Sequence, residues 1–185
     1  MPPSTRLWPQ LCEQLHFPLT SAQVRVVEEV FNDLAGTVPT MRLVQGDVGS
    51  GKTVVAAAAV LTAVEAGCQA VVMAPTELLA RQHFDSFEIW LKELGIDAVW
   101  LTSRAAAATR RQACQRLASG DVQVGIGTHA LFQDDVHYHN LGLVVVDEQH
   151  RFGVEQRLAL RDKGRSDNRA PHQLVMTATP IPRSL

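Results

Sequence analysis

Apolar residues recur along this chain with two different periods. Val24, Val27, Val30, Phe31 and Leu34 return every three or four positions, which marks one face of an α-helix. Thr20 precedes that stretch with Gln23 three residues on, the pattern of a capping box. Short apolar runs then alternate with longer helical stretches. Met41 to Gln45 reads as a strand, Thr53 to Ala66 as a helix, and Gln69 to Ala74 as a buried strand. Pro75-Thr76-Glu77 turns the chain into another helix, with Thr76 as its cap and Gly95 as its stop. Ala98 to Leu101 and Val122 to Ile126 are further strands, separated by a helix near Ala105 to Ala118. Leu143 to Val146 and Gln173 to Thr177 complete the set. The polar segment Asp162 to Ala170 between them reads as a surface loop.

Strands alternating with helices predict an α/β fold, a mostly parallel sheet with helices on both faces. Right-handed crossovers place the loops that follow the strands along one edge, where ligand groups gather in such folds. A chain of 185 residues suits one domain with a substantial core, with residues 1–18 expected as an N-terminal lead-in. Hydrophobic residues make up 46% and the net charge is −2, a soluble globular composition without a strongly basic surface. Any nucleic acid is therefore expected to be gripped by local groups, or by parts of a longer parent protein outside these residues. The longest apolar stretch, Val54 to Val64, is about half of the ~20 residues a membrane-spanning helix needs. Met1-Pro2-Pro3-Ser4 has no basic region leading into an apolar block, so no secretory signal is read there. Cys12, Cys68 and Cys114 form neither a metal pattern nor a disulfide framework, which suits a reducing cytoplasm.

Chemistry concentrates at two strand ends. Gly46-Asp47-Val48-Gly49-Ser50-Gly51-Lys52-Thr53 fits G-x-x-x-x-G-K-[ST] and lies between a predicted strand and a predicted helix, the context a phosphate-binding loop requires. Its glycines let backbone N–H groups turn toward phosphate oxygens, and the helix N-terminus adds positive potential there. Lys52 is placed to reach the β- and γ-phosphates, and the Thr53 hydroxyl to sit on Mg²⁺. The second strand end is Leu143-Val144-Val145-Val146-Asp147-Glu148, an apolar run closing on two acids. Asp147 is the expected Mg²⁺ holder, directly or through water, and Glu148 the group that polarises the attacking water. Read without each other, these segments are a glycine turn and two solvated acids; together each accounts for the other.

Five segments in this order resemble the first RecA-like motor domain of superfamily 2 helicases. They are Gly46–Thr53, Ala74–Ala80, Gly127–Leu131, Asp147–His150 and Thr177-Ala178-Thr179. The stretch Asp147-Glu148-Gln149-His150-Arg151-Phe152-Gly153-Val154-Glu155-Gln156-Arg157 narrows the resemblance to the RecG family of bacterial helicases that remodel branched DNA. The Mfd-like transcription-repair coupling translocases are similar in their motor. They carry Asp-Glu-Glu-His where this chain has Gln149, and commonly a bulky residue where it has Ser50.

The RecG resemblance implies ATP and Mg²⁺ as ligands and a bacterial cytoplasmic setting. It also implies branched or forked DNA as partner, such as stalled forks and Holliday junctions in repair and recombination. A second RecA-like domain and a wedge domain belong to that family and are not expected within these 185 residues. These residues by themselves are therefore expected to bind nucleotide weakly and not to unwind DNA.

By the same resemblance Gln23 reads the adenine edge, its bland alternative being the capping box. Phe17 lies along the base or staples the helix. Gly46, Asp47, Gly49, Ser50, Gly51, Lys52 and Thr53 hold the phosphates. Thr76, Thr102, Thr128 and His129 contact the DNA backbone, with capping or a turn as their alternatives. His150, Thr177 and Thr179 relay the nucleotide state to the DNA side. The family pattern has Thr-Gly at position 102, whereas here Thr102 is followed by Ser103 and Arg104, which leaves that contact open. Arg110, Arg111 and Arg116 read as a solvated helix face, and His137 and His139 lack a third ligand at a recognisable spacing. Two other classes remain: a GTPase, which the missing Asn-Lys-x-Asp motif disfavours, and a nucleotide-binding module without turnover.

Overall fold

The computed structural model describes residues 1–47, 49–148 and 170–178. Within them lie six strands: β1 (Met41–Gln45), β2 (Gln69–Met73), β3 (Ala98–Leu101), β4 (Val124–Gly127), β5 (Leu141–Asp147) and β6 (His172–Thr177). They form one sheet in the order β1-β6-β5-β2-β4-β3, and every neighbouring pair is parallel. β2 and β4 are buried at every position, as the middle strands of a sheet covered on both faces must be.

The helices are α1 (Leu7–Gln14), α2 (Ser21–Ala35), α3 (Lys52–Glu65), α4 (Glu77–Glu93) and α5 (Ala107–Ser119), with a 3₁₀ turn over His129–Phe132. Strand residues alternate between two core layers. Ala70, Val72, Ile126 and Val145 point into the layer shared with α1 to α4. Val71, Met73, Val144 and Val146 point into the layer of α5 and the 3₁₀ turn. α3 is buried continuously from Val54 to Ala63 because α1 and α2 cover the side that the sheet does not. This accounts for its unbroken apolar sequence. No helix among the described residues is long and apolar enough to cross a membrane.

The edge strand β1 is tied to α2 by Arg42, which bonds Glu29 at 2.8 Å and also Asp33. Several predicted boundaries move by one or two residues, β5 for example starting at Leu141. β4 starts at Val124 rather than Val122, since the Val122 carbonyl accepts from the Gln69 side chain at 2.8 Å instead of joining the ladder. α5 starts at Ala107 because Thr102 to Ala105 first closes a turn, with Ala105 N–H donating to the Thr102 carbonyl at 3.3 Å. Of the expected loop Asp162–Ala170, all but Ala170 lies outside the described residues.

Residues 1–18 are more than a lead-in. They contain α1, which buries Leu7 and Leu11 against α3. The cap of α1 comes from a distant residue. The Glu65 carboxylate, at the end of α3, accepts from the backbone N–H groups of Thr5, Arg6 and Leu7 at 3.0–3.3 Å and from the Ser4 hydroxyl at 2.6 Å. A side chain some sixty positions away is invisible to any local capping rule, and two inward leucines are too few to establish a period.

Burial pushes the Glu65 carboxyl up, but the Leu7 N–H, the Ser4 hydroxyl and the Thr5 donors outweigh it and bring it down to about 2 from an ordinary 4.5. A depressed folded value gives stability that is present above the unfolded value and lost as pH falls through the folded one. Glu65→Gln is therefore expected to cost about 1 kcal/mol at pH 7. The deficit should shrink between pH 4.5 and pH 2, the window those two values define. Urea denaturation of both proteins at pH 7 and pH 3 checks this; a deficit that does not narrow on acidification would contradict it.

Candidate nucleotide-binding site

The sheet order places β1, β6 and β5 side by side, so the loops that follow them meet at one edge. Three backbone-directed hydrogen bonds join them. Gly46 N–H donates to the Thr177 carbonyl at 3.2 Å, and Glu148 N–H donates to the Met176 carbonyl at 2.9 Å. Glu148 Oε1 accepts from Ala178 N–H at 3.1 Å. The glycine loop, the acidic pair and the end of β6 are thus one hydrogen-bonded unit.

Within the loop, Gly49 (φ 82°) and Gly51 (φ 85°) occupy the left-handed region, which reverses the direction of successive N–H groups. Val48 lies outside the described residues. At two glycines an added Cβ would also displace a neighbouring side chain. A Cβ on Gly46 would stand 2.6 Å from Ser50 Oγ, and one on Gly51 would stand 2.1 Å from Gln23 Nε2. Lys52 opens α3 and bends back over the loop, its ammonium donating to the carbonyls of Gly46 at 2.6 Å and Asp47 at 2.9 Å. Thr53 follows in the same turn and is half-buried; Asp47, Gly49 and Ser50 are exposed. α3 offers first-turn N–H groups that have no intrahelical partner, and its axis points its positive end at the loop.

A left-handed alanine costs about 1–2 kcal/mol before any clash. Gly51→Ala is accordingly expected to lower stability by about 2 kcal/mol and to displace Gln23. Chemical denaturation would measure the loss, and a change within about 0.5 kcal/mol would mean that the strain argument fails.

Gln23 serves two structural purposes at once. Its Oε1 accepts from Thr20 N–H at 2.8 Å while its own N–H bonds the Thr20 hydroxyl at 3.2 Å, completing the capping box. Its Nε2 donates to the Ser50 carbonyl at 3.0 Å, tying α2 to the glycine loop. One lone pair and one proton of the amide remain for a base edge. Phe17 is 49% exposed, leaving about half of its surface open to solvent.

Asp147 ends β5 and is buried, whereas Glu148 is half-buried. Glu148 has a φ of 52°, the one positive value at a non-glycine position among the described residues. Such a conformation costs a bulky residue about 1–2 kcal/mol, and the bonds to Met176 and Ala178 hold it. The donor set fits a nucleoside triphosphate with Mg²⁺: backbone N–H groups and an ammonium for phosphate, and hydroxyl and carboxylate oxygens for a hard cation.

The groups expected on the DNA side divide by exposure. Thr76 is exposed and caps α4, its hydroxyl accepting from Leu79 N–H at 3.3 Å. His129 is exposed at the start of the 3₁₀ turn. Thr102 and Thr128 are each 3% exposed, so neither side chain is open to solvent. At position 102 the exposed groups are Ser103 and Arg104, and Arg104 lies 3.5 Å from Glu77. Thr128 is covered because the 3₁₀ turn folds Ala130 and Leu131 into the core directly after it; its Oγ1 is buried without a hydrogen-bond partner among the described residues. Thr177 is buried at the end of β6. His150 and Thr179 lie outside the described residues. On α5, Arg110 pairs with Asp135 at 2.7 Å and Arg116 with Asp97 at 2.6 Å, so two of its three arginines are engaged by acids.

The sequence reading passed over His83. It sits on α4 with its Nε2 2.8 Å from Asp147 Oδ2, and it is buried. A signal was available: Ala80, His83, Phe84, Phe87 and Leu91 form the buried stripe of α4, and a histidine on an apolar stripe needs a polar partner.

A DEAD/DEAH box helicase model matches residues 20–185. The ATP-dependent DNA helicase RecG of Pasteurella multocida (strain Pm70) is 54% identical over 181 residues, 98% of this chain and 26% of that protein. RecG of Escherichia coli (strain K12) is 54% identical over 176 residues, 95% of this chain and 25% of that protein. The chain thus spans about a quarter of the length of the curated relatives it matches. A solved structure of RecG bound to a three-way DNA junction superposes with a TM-score of 0.80 and 42% identity, over 98% of this chain and 24% of that one. The DUF1998 helicase MrfA bound to DNA and AMPPNP shares the fold at a TM-score of 0.76, with 18% identity over 98% of this chain and 27% of its own. The parallel sheet with its glycine loop at a strand end is a RecA-like helicase fold, and the chain belongs to the DEAD/DEAH box helicase family.

Proposed function

We propose that the chain is the ATP-binding motor domain of a RecG-like DNA helicase that remodels branched DNA. The observation that carries this reading is the hydrogen-bonded unit of Gly46, Thr177, Glu148 and Ala178 at one sheet edge, in a chain 54% identical to RecG helicases. Branched DNA as partner is supported by the likeness to RecG held on a three-way junction. A bacterial cytoplasmic setting is supported by the RecG relatives of Pasteurella multocida and Escherichia coli.

In this reading the loop N–H groups and Lys52 bind the phosphates, with Lys52 exchanging the Gly46 and Asp47 carbonyls for phosphate oxygens. Thr53 and Asp147 would hold Mg²⁺, which would supply positive charge to neutralise the phosphates. Glu148 accepts a proton from the attacking water, and its link to Ala178 passes the state of the site to the Thr177 segment. Gln23 offers its remaining lone pair and proton to the adenine. Thr76, His129 and the exposed Ser103 and Arg104 grip DNA phosphates, which gives affinity without reading sequence. His150 and Thr179 complete the relay.

A second RecA-like domain supplies the arginine finger in this family, a group worth about 10³–10⁵ in kcat in related enzymes. On this reading the 185 residues by themselves bind nucleotide without unwinding DNA. The test is ATP turnover and fork unwinding by these residues, with forked and linear DNA and Glu148→Gln as control. Nucleotide binding without unwinding is the expected result. Efficient fork unwinding, or tighter binding of GTP than of ATP, would contradict the proposal.

A further inference from the structure

We infer that His83 is a positioning residue of the nucleotide site, acting through Asp147 on the bound divalent cation. The inference rests on the proposed ATP-binding role of Asp147. His83 projects from the buried stripe of α4, seven positions after the cap Thr76, and its Nε2 meets Asp147 Oδ2 at 2.8 Å. Both side chains are largely withdrawn from water, at 10% and 12% exposure. A carboxylate oxygen only accepts, so Nε2 carries the proton and donates.

This contact divides the labour of the carboxylate. Oδ2 is held against α4, so Oδ1 is the oxygen left to face a cation or its water shell. A carboxylate at a strand end turns freely about its terminal bond unless something fixes it. His83 supplies that fixation from a different element, as outer-shell partners of ligating carboxylates do. The pair also attaches α4 to β5 at the position where β5 turns into its catalytic loop. A purely structural role would satisfy the buried histidine but would leave cation affinity unmoved once nucleotide binds.

Calorimetric titration of ADP into the chain, with EDTA and across a Mg²⁺ series, separates these roles. His83→Ala is expected to leave metal-free ADP affinity within about twofold while raising the apparent Mg²⁺ dissociation constant of the ADP complex about tenfold or more. His83→Gln, whose amide can reach the same oxygen, should recover part of that loss. His83→Asn keeps polarity but falls short of Asp147, and should behave as His83→Ala does. Thermal unfolding of each variant identifies any that does not fold, and the Gln and Asn pair then carries the comparison. Equal Mg²⁺ dependence in all four proteins would overturn the inference, as would a loss of ADP affinity that is the same with and without Mg²⁺. Failure of the wild-type chain to bind ADP at all would instead overturn the nucleotide-site reading, and this inference with it.

Discussion

Lys52→Ala is expected to weaken binding of Mg-ATP and Mg-ADP by about 10- to 100-fold with little change in fold stability. The ammonium lies within the glycine loop, bonded to the carbonyls of Gly46 and Asp47. A charge-assisted bond from that ammonium to a phosphate contributes about 1.5–3 kcal/mol, which converts to the stated range of affinity. The folded protein loses only two bonds to partly exposed carbonyls, which water can replace, so denaturation midpoints should shift by less than about 1 kcal/mol. Calorimetry and urea denaturation of the same preparation measure the two quantities. A variant that binds as tightly as the wild type would remove Lys52 from the site. A variant that simply unfolds would make its role structural.

Glu148→Gln should separate binding from turnover. The amide oxygen of glutamine can still accept from Ala178 N–H, so the bond that supports the left-handed backbone at position 148 survives. A glutamine cannot take the proton of the attacking water, and general-base contributions are typically about 10²–10⁴ in rate. In any form of the protein that turns ATP over, kcat should fall by about that factor while KM stays nearly constant. A fall in kcat of less than about fivefold would move the base elsewhere. A matching rise in KM would mean that Glu148 serves binding instead.

The fold class was legible because its signals are local. β2 and β5 announce themselves as apolar runs, and α2 and α4 carry their caps, Thr20 and Thr76, in the sequence. The glycine loop was legible because its left-handed turns at Gly49 and Gly51 restrict residue type at fixed spacing. What stayed hidden depends on contacts between distant positions. α1 is capped by Glu65, Val122 gives its carbonyl to Gln69, and β6 inserts between β1 and β5, none of which leaves a trace in a short window. The DNA-side threonines show the other limit. A motif fixes the identity of Thr102 and Thr128, but the packing around them decides that their hydroxyls are buried. Gln23 shows that one amide can do more than a local motif states, since it fulfils the cap and also ties α2 to the glycine loop.

The central claim is that the loop after β1 and the acids after β5 form one Mg-nucleotide site. It is tested most directly by titrating Mg-ADP into the chain and into Lys52→Ala and Asp147→Asn. Saturable binding to the wild type with one nucleotide per chain is predicted, weakened in Lys52→Ala with or without Mg²⁺ and weakened in Asp147→Asn only when Mg²⁺ is present. Binding that is absent in the wild type, or indifferent to both substitutions, would contradict the account.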